Sequence, residues 1–155
     1  MNYHISRTSL DNDSSFDYPK PIFLEEIGID GLKKLFSDFY DLIVDSDIGN
    51  FFPQEEDELE KTKARNVKFF IEAAGGPKEY SEEMGHFDML KTHEQFSITQ
   101  KARREWLGTM EEVLRKVDIS DEAKESFWNF LEKFSKHTVN VDEKQELEDL
   151  VVKKG

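Results

Sequence analysis

The chain has 155 residues, a net charge of −13 at pH 7 and no cysteine. The lack of cysteine excludes disulfides, thiolate catalysis and thiolate-ligated iron, and the acidic balance disfavours a nucleic-acid partner or an anionic membrane surface. The length suits one domain with a real core. No apolar run is long enough to span a bilayer and the polar N-terminus lacks a signal-peptide pattern, so we expect no membrane contact and a cytoplasmic location.

Phenylalanine dominates the apolar composition. Apolar residues make up only 37% of the chain, yet thirteen residues are phenylalanine, and each of these rings offers a large area for burial. Such a composition suits a core built around a flat apolar group. It suits a helical bundle without any cofactor equally well, so composition leaves both alternatives open.

The N-terminal stretch, residues 1–21, shows no hydrophobic period and ends in Pro19 and Pro21. It predicts an extension before the fold, mobile or draped across its surface, whose removal would expose little apolar surface. Its candidate anchors are Tyr3, Ile5, Phe16 and Tyr18. We therefore expect one domain over residues 22–141, followed by a charged tail over residues 142–155.

Helical spacing begins at Ile22. A short helix over Phe23–Ile27 precedes Gly28, and Asp30 is the expected N-cap of a longer helix that ends near Ser46. The inner face of that longer helix repeats at three and four residues and comprises Leu32, Leu35, Phe36, Phe39 and Ile43.

A second long helix is predicted from Gln54 to Ala74, after a short turn over Ile48–Phe52. Its first turn is acidic, which suits the positive end of the helix dipole, and Gly75-Gly76-Pro77 ends it. Its inner face is polar in the first half and apolar in the second, and comprises Thr62, Asn66, Phe69, Phe70 and Ala73.

The stretch Gly85–Trp106 contains two of the four histidines, His86 and His93. Leu90 and His93 are three residues apart, so a short helix would place them on one face. A single histidine beside apolar residues is most often a hydrogen-bonded core residue, so this spacing alone does not indicate a ligand. Thr99 is the expected N-cap of the next helix.

Two further long helices complete the pattern, the second capped by Ser120. Their inward faces are Ala102, Trp106, Met110, Val113 and Val117 in the first, and Phe127, Phe130, Leu131, Phe134 and Thr138 in the second. The sequence shows no strand pattern, repeat or second domain. It predicts an all-α fold with two pairs of long helices and short connectors.

Five groups of residues, in a fixed order, carry a family resemblance. The run G-H-x-x-M-L-x-x-H-x-x-F-x-I covers residues 85–98, and R-x-x-W-L-x-x-M follows it over residues 103–110. Phe39-Tyr40 and Gly75-Gly76-Pro77 with Tyr80 come before them, and Val139-Asn140 comes after. The set resembles the truncated haemoglobins of the second group over residues 22–141. The resemblance implies the two-over-two variant of the globin sandwich, with haem b held between its helices.

The resemblance also implies roles for single residues. His93 corresponds to the proximal ligand of the haem iron. Tyr40 and Trp106 correspond to the distal tyrosine and tryptophan, whose O–H and N–H can donate to a bound gas molecule. Phe52 corresponds to the aromatic residue that braces the haem. His86 is expected to be a loop residue near the haem edge.

Other pocket positions depart from the family or vary within it. Thr62 and Asn66 are polar at positions where the family varies, and Asn66 offers a further donor to a bound gas. Thr92 stands where the family often has an arginine, so pairing with a haem propionate would pass to Lys91 or Arg65. The remaining residues expected to contact the cofactor are Phe69, Leu90, Phe96 and Ile98.

Three functional alternatives follow from these residues. The first is reversible binding of dioxygen, carbon monoxide or nitric oxide at a pentacoordinate iron. The second is a haem redox enzyme, a peroxidase or a nitric oxide dioxygenase, that uses the same pocket with an external reductase. The third is a helical interaction domain that has lost its haem. A peroxidase needs a distal base and a cation, which the sequence does not supply, so binding is the favoured alternative. The oligomeric state stays open.

Overall fold

A computed structural model of the chain describes residues 1–6, 16–84 and 98–139. Within these ranges the chain forms helices and turns and no strand, which confirms the all-α prediction. The short helix expected around His93 and the tail over residues 142–155 lie outside the described residues. The described elements are α1 (Pro21–Ile43), α2 (Glu56–Ala73), α3 (Glu79–Met84), α4 (Gln100–Leu114) and α5 (Asp121–Phe134), with 3₁₀ turns at Gly49–Phe51 and Ser135–Thr138.

Helix α1 is bent where the sequence predicts a break. Gly28 has φ 73° and ψ 164°, a conformation that side chains strongly disfavour, and it is the residue at which the helical backbone is interrupted. The expected break is therefore confirmed. The expected N-cap is wrong, because Asp30 lies within helical backbone and the interruption falls on Gly28 itself.

The other helix ends follow their local signals. Gly75 takes a positive φ of 99° after α2, and the Gly76 N–H donates to the Ile71 carbonyl at 2.9 Å, which closes the helix as predicted. Thr99 Oγ1 accepts from the Ala102 N–H at 3.0 Å, at the start of α4. Ser120 accepts from an N–H in the first turn of α5 at 3.2 Å. Both predicted N-caps are confirmed.

Helix α3 was not predicted. Two side chains of α2 bind it: Lys68 Nζ lies 2.9 Å from the Glu83 carboxylate, and the Glu72 carboxylate accepts from the Ser81 N–H at 3.0 Å. The buried ring of Tyr80 adds an apolar contact. These partners are nine to fifteen residues apart in sequence, which is why local periodicity did not reveal the helix.

The core forms where α1 contacts α2, α4 and α5. The rings of Phe23 and Phe127 stack at 4.2 Å between centroids, and those of Phe36 and Phe70 at 4.5 Å. Each fully buried ring contributes roughly 2 kcal/mol to folding. The core is thus built on aromatic pairs that join the long helices.

The most buried face of α2 differs from the predicted one. Val67, Phe70 and Ile71 are buried, and the other predicted members of the face are half-buried: Thr62, Asn66, Phe69 and Ala73. Helix α1 packs on α2 through Phe36, whose ring stacks on that of Phe70, so the buried stripe of α2 is the one that contains Phe70. The polar stripe beside it therefore lies at the margin of the core.

The N-terminal residues that the structure describes contact α5. Tyr3 packs edge-on against Trp128 at 5.0 Å, and Phe16 packs against Phe134 at 5.5 Å. Tyr18 contacts Phe130 at 5.8 Å although its side chain is largely exposed. None of the described helices combines the length and hydropathy that crossing a membrane requires.

Candidate haem-binding site

Aromatic rings from three helices and one turn form a continuous surface, which we call the aromatic wall. Neighbouring centroids are 5.7 Å apart for Tyr40 and Phe52, 5.2 Å for Phe39 and Trp106, and 6.5 Å for Phe70 and Trp106. Helix α1 supplies Tyr40 and α4 supplies Trp106. The members of the wall are Phe39, Tyr40, Phe52, Phe69, Phe70 and Trp106.

Burial is uneven along the wall. Phe39, Tyr40 and Phe70 are buried, but Phe52, Phe69 and Trp106 are only half-buried. Large rings of a core that has no further partner are usually covered. The half-buried rings therefore leave part of the wall for a flat apolar group to cover.

A hydrogen bond fixes the polar centre of the wall. Asn66 Nδ2 on α2 donates to the Tyr40 hydroxyl oxygen on α1 at 2.7 Å. A phenol oxygen that accepts a hydrogen bond can still donate its own proton. The bond thus holds the Tyr40 ring in place and leaves the hydroxyl hydrogen to point toward another acceptor.

The protonation state of Tyr40 follows from its surroundings. Burial raises the pKa of its hydroxyl above the ordinary value of 10.0, and the Asn66 hydrogen bond and the charge of Arg65 lower it by less. The phenol is therefore neutral at neutral pH and remains a hydrogen-bond donor. The pKa of the Tyr80 hydroxyl is also raised, because the effect of burial exceeds the lowering by the charge of Arg65.

Several of the residues expected at the pocket belong to the described part of the chain. Thr62 is half-buried on α2, one turn before Asn66, and Arg65 is exposed but close enough to influence Tyr40. Phe69 packs against Tyr80 at 5.5 Å. Ile98 is buried just before the N-cap of α4. The other expected residues lie outside the described residues: Leu90, Lys91, His93 and Phe96.

The sequence did not indicate two features of this site. Asn66 Nδ2 donates to the Tyr40 hydroxyl, a contact that no sequence pattern indicated; the amide has two N–H donors, so a further donation to a bound gas stays a prediction. The second feature is Arg103, one helical turn before Trp106, which is only 2% exposed. Periodicity predicts charged residues on the solvent side, and an arginine gives no signal of a buried partner far away in sequence.

The composition of the wall fits haem. A porphyrin is flat and apolar over most of its area, and the wall offers rings on three helices for contact. Its polar groups are few: the Tyr40 hydroxyl and the Asn66 amide, joined by a hydrogen bond, and the Trp106 indole. Binding sites for small molecules typically combine an apolar lining with a small number of such groups.

Comparisons with known proteins agree with this geometry. The family described as bacterial-like globin matches residues 22–140. The group 2 truncated haemoglobin YjbI of Bacillus subtilis (strain 168) is 29% identical over 123 residues, covering 79% of this chain and 91% of that protein. The X-ray structure of the truncated oxygen-avid haemoglobin from Bacillus subtilis has a TM-score of 0.71 and 29% identity, over 77% of this chain and 99% of the other.

A larger share of the chain matches a further solved structure. Phosphate-bound Hell's gate globin IV has a TM-score of 0.81 and 26% identity, over 90% of this chain and 88% of that chain. The family match spans most of the chain, and the helices of the structural neighbours superpose on those described above. The chain therefore belongs to the bacterial-like globin family and has the two-over-two fold of the group II truncated haemoglobins.

Proposed function

We propose that this globin is a haem protein that binds dioxygen reversibly, with His93 as the single protein ligand of a pentacoordinate iron. Globin membership supports the haem and the binding of a small diatomic gas. A structural neighbour from Bacillus subtilis is an oxygen-avid haemoglobin. Because the chain has no cysteine for thioether attachment, the haem would be the non-covalent haem b.

The observation that carries the proposal is the Tyr40–Asn66 hydrogen bond on the aromatic wall. Haem supplies the iron atom at which the gas binds. Bound dioxygen has partial negative charge on its outer atom, so a neutral phenol held beside it would stabilise it. Low polarity around the phenol strengthens such a hydrogen bond.

Trp106 is the second proposed donor. It lies on α4, whereas Tyr40 lies on α1, and the Phe39 ring contacts both side chains at 5.2 and 5.4 Å. Donors on different helices can address one ligand only where those helices cross beside it. A hydrogen bond worth about 1.5 kcal/mol slows escape of the ligand by roughly tenfold.

The direct test compares the escape rates of two gases in Tyr40→Phe and Trp106→Phe. Carbon monoxide carries less negative charge than dioxygen, so loss of a hydrogen bond affects it less. We expect each substitution to accelerate dioxygen escape by about tenfold, and Tyr40→Phe to change carbon monoxide escape much less. Stopped-flow ligand replacement measures both rates.

Tyr80→Phe is the matched control, because it removes a hydroxyl from another buried tyrosine in contact with Phe69. The control should leave the ratio of the two escape rates unchanged. Equal acceleration of both gases in Tyr40→Phe would mean that the tyrosine acts through its shape, and the proposed mechanism would be wrong.

The assignment of His93 as the protein ligand of the iron has its own test. His93→Ala should abolish stable haem retention, measured from the absorbance of the purified protein, and added imidazole should restore a bound haem by occupying the vacated position. His86→Ala is the control and should retain haem. If His86→Ala loses haem and His93→Ala keeps it, the proposed ligand is the wrong histidine.

A further inference from the structure

Helices α4 and α5 are joined by a buried ion pair. Arg103 is 2% exposed and Glu132 is 1% exposed, and Arg103 Nη2 lies 3.1 Å from Glu132 Oε1. The same guanidinium donates to the Glu132 carbonyl at 2.6 Å and to Ser135 Oγ at 2.9 Å. Two charges can be buried together only where further hydrogen bonds satisfy their remaining atoms.

The N-terminal segment supplies those hydrogen bonds. Arg103 Nη1 donates to the Ser6 carbonyl at 2.7 Å. The Ser6 N–H and hydroxyl both donate to Glu132 Oε1, at 2.9 and 2.7 Å. Ser6 thus binds both members of the pair, about a hundred residues away in sequence. Removing it would take one partner from the guanidinium and two from the carboxylate.

Three further contacts hold the segment on the same helices. Trp128 Nε1 donates to the His4 carbonyl at 2.9 Å, and the Tyr3 ring packs edge-on against the Trp128 ring. The Arg115 guanidinium, just after α4, lies 4.4 Å from the centroid of the Tyr3 ring. Residues 1–6 therefore bridge the end of α4, the middle of α5 and the buried ion pair.

One member of the ion pair lies on the same helix as a residue of the aromatic wall. Arg103 precedes Trp106 by three residues on α4, which is about one helical turn. A rotation of α4 about its axis would move both side chains together. The hydrogen bonds of Arg103 to α5 and to Ser6 oppose that rotation, so they constrain the backbone from which Trp106 projects.

We propose that residues 1–6 form a strap which completes the Arg103–Glu132 pair, and that Arg103 is a positioning residue that holds Trp106 in its place beside the ligand. This inference rests on the proposed function, because it takes Trp106 as a distal donor. It makes the N-terminal strap a determinant of dioxygen retention. On sequence alone, the extension that contains these residues and the tail after Val141 are expected to be dispensable for haem binding.

The first test disrupts the strap at one residue. Ser6→Pro removes the N–H and the hydroxyl that donate to Glu132, and Asn2→Pro places the same residue type at an exposed position of the strap as a control. We expect Ser6→Pro to lower the melting temperature of the haem-loaded protein by about 8 °C. The indole N–H resonance of Trp128 should shift in the nitrogen–proton spectrum of the carbon monoxide form. Asn2→Pro should show neither change.

The readout for positioning is the ratio of dioxygen escape to carbon monoxide escape. We expect Ser6→Pro to raise this ratio about threefold, because the Trp106 N–H is displaced from its acceptor. A lower melting temperature with an unchanged ratio would show that the strap only stabilises the fold. That result would overturn the inference.

A second variant separates stability from positioning. In Arg103→Met with Glu132→Leu, apolar side chains replace a buried ion pair, a change that often leaves stability unaltered or improved. We expect a melting temperature close to that of the wild type and a ratio still raised about threefold. A wild-type ratio in this double variant would show that the pair does not position Trp106.

Trp106→Phe distinguishes failure of the strap from failure of the proposed function. If Trp106→Phe raises the ratio and Ser6→Pro does not, the strap inference alone is wrong. If Trp106→Phe leaves the ratio unchanged, Trp106 is no distal donor, and both the donor assignment and the positioning role of Arg103 are overturned.

Discussion

Asn66 can influence a bound gas in two ways. Its amide has two N–H groups, so it can donate to the gas directly, or it can act through the Tyr40 oxygen, to which Nδ2 donates at 2.7 Å. A residue that acts through Tyr40 should lose its influence when the Tyr40 hydroxyl is removed, whereas a direct donor should not. Double-mutant cycles measure this dependence.

We therefore predict the outcome of a cycle between Asn66→Leu and Tyr40→Phe. Asn66→Leu removes the amide at similar volume and releases the phenol, so dioxygen escape should accelerate about fivefold in the wild-type background. In the Tyr40→Phe background it should have little effect. An equal acceleration in both backgrounds, measured by ligand replacement, would show that Asn66 donates to the gas itself.

At the residue scale, the sequence identified candidate side chains better than the contacts between them. The family resemblance selected Tyr40 and Trp106, helical spacing selected Phe69, and the structure places all three on the aromatic wall. The Asn66–Tyr40 hydrogen bond depends on how α1 crosses α2, which no local pattern encodes. The buried partners Arg103 and Glu132 were missed for the same reason.

At the scale of the element, local sequence signals predicted the helix ends, whereas tertiary contacts determined helix α3 and the buried face of α2. Gly75, Thr99 and Ser120 each end or begin a helix through hydrogen bonds within a few residues, so the sequence contains the necessary information. Helix α3 depends on side chains of α2, and the buried stripe of α2 depends on the position of α1. Both required the assembled fold.

At the scale of the whole molecule, lowering the pH affects stability in opposite directions through the acidic surface and through the buried Arg103–Glu132 pair. The net charge of −13 creates repulsion that protonation of exposed carboxylates relieves. Glu132 differs because its charged carboxylate stabilises the fold through the buried ion pair with Arg103. Burial by itself raises its pKa, but the Ser6 hydrogen bonds, Lys136 and Arg103 together lower the pKa below the usual 4.5. A comparison with Glu132→Gln isolates its contribution, since the rest of the surface is shared.

The last prediction concerns that comparison. A carboxyl whose pKa is lowered by folding stabilises the protein fully above its unfolded pKa, and the stabilisation is lost as the pH falls through the folded pKa. We expect Glu132→Gln to lower the free energy of unfolding by about 3 kcal/mol at neutral pH, because the Arg103 charge stays buried without its partner.

The pH dependence of this loss tests the protonation state of Glu132. The difference in the free energy of unfolding between wild type and Glu132→Gln should be constant from pH 7 to about pH 5. It should narrow only as the pH falls below the usual carboxyl pKa of 4.5. Urea unfolding followed by circular dichroism at each pH measures it. Besides Arg103, the His4 ring lies 4.0 Å from the carboxylate and Lys136 Nζ 3.8 Å from it, so the series is repeated with His4→Gln, which removes the imidazole. A difference that narrows already between pH 7 and pH 5 in both series would mean that the Glu132 pKa is raised in the folded protein, and the strap would then be held by a neutral carboxyl instead of an ion pair.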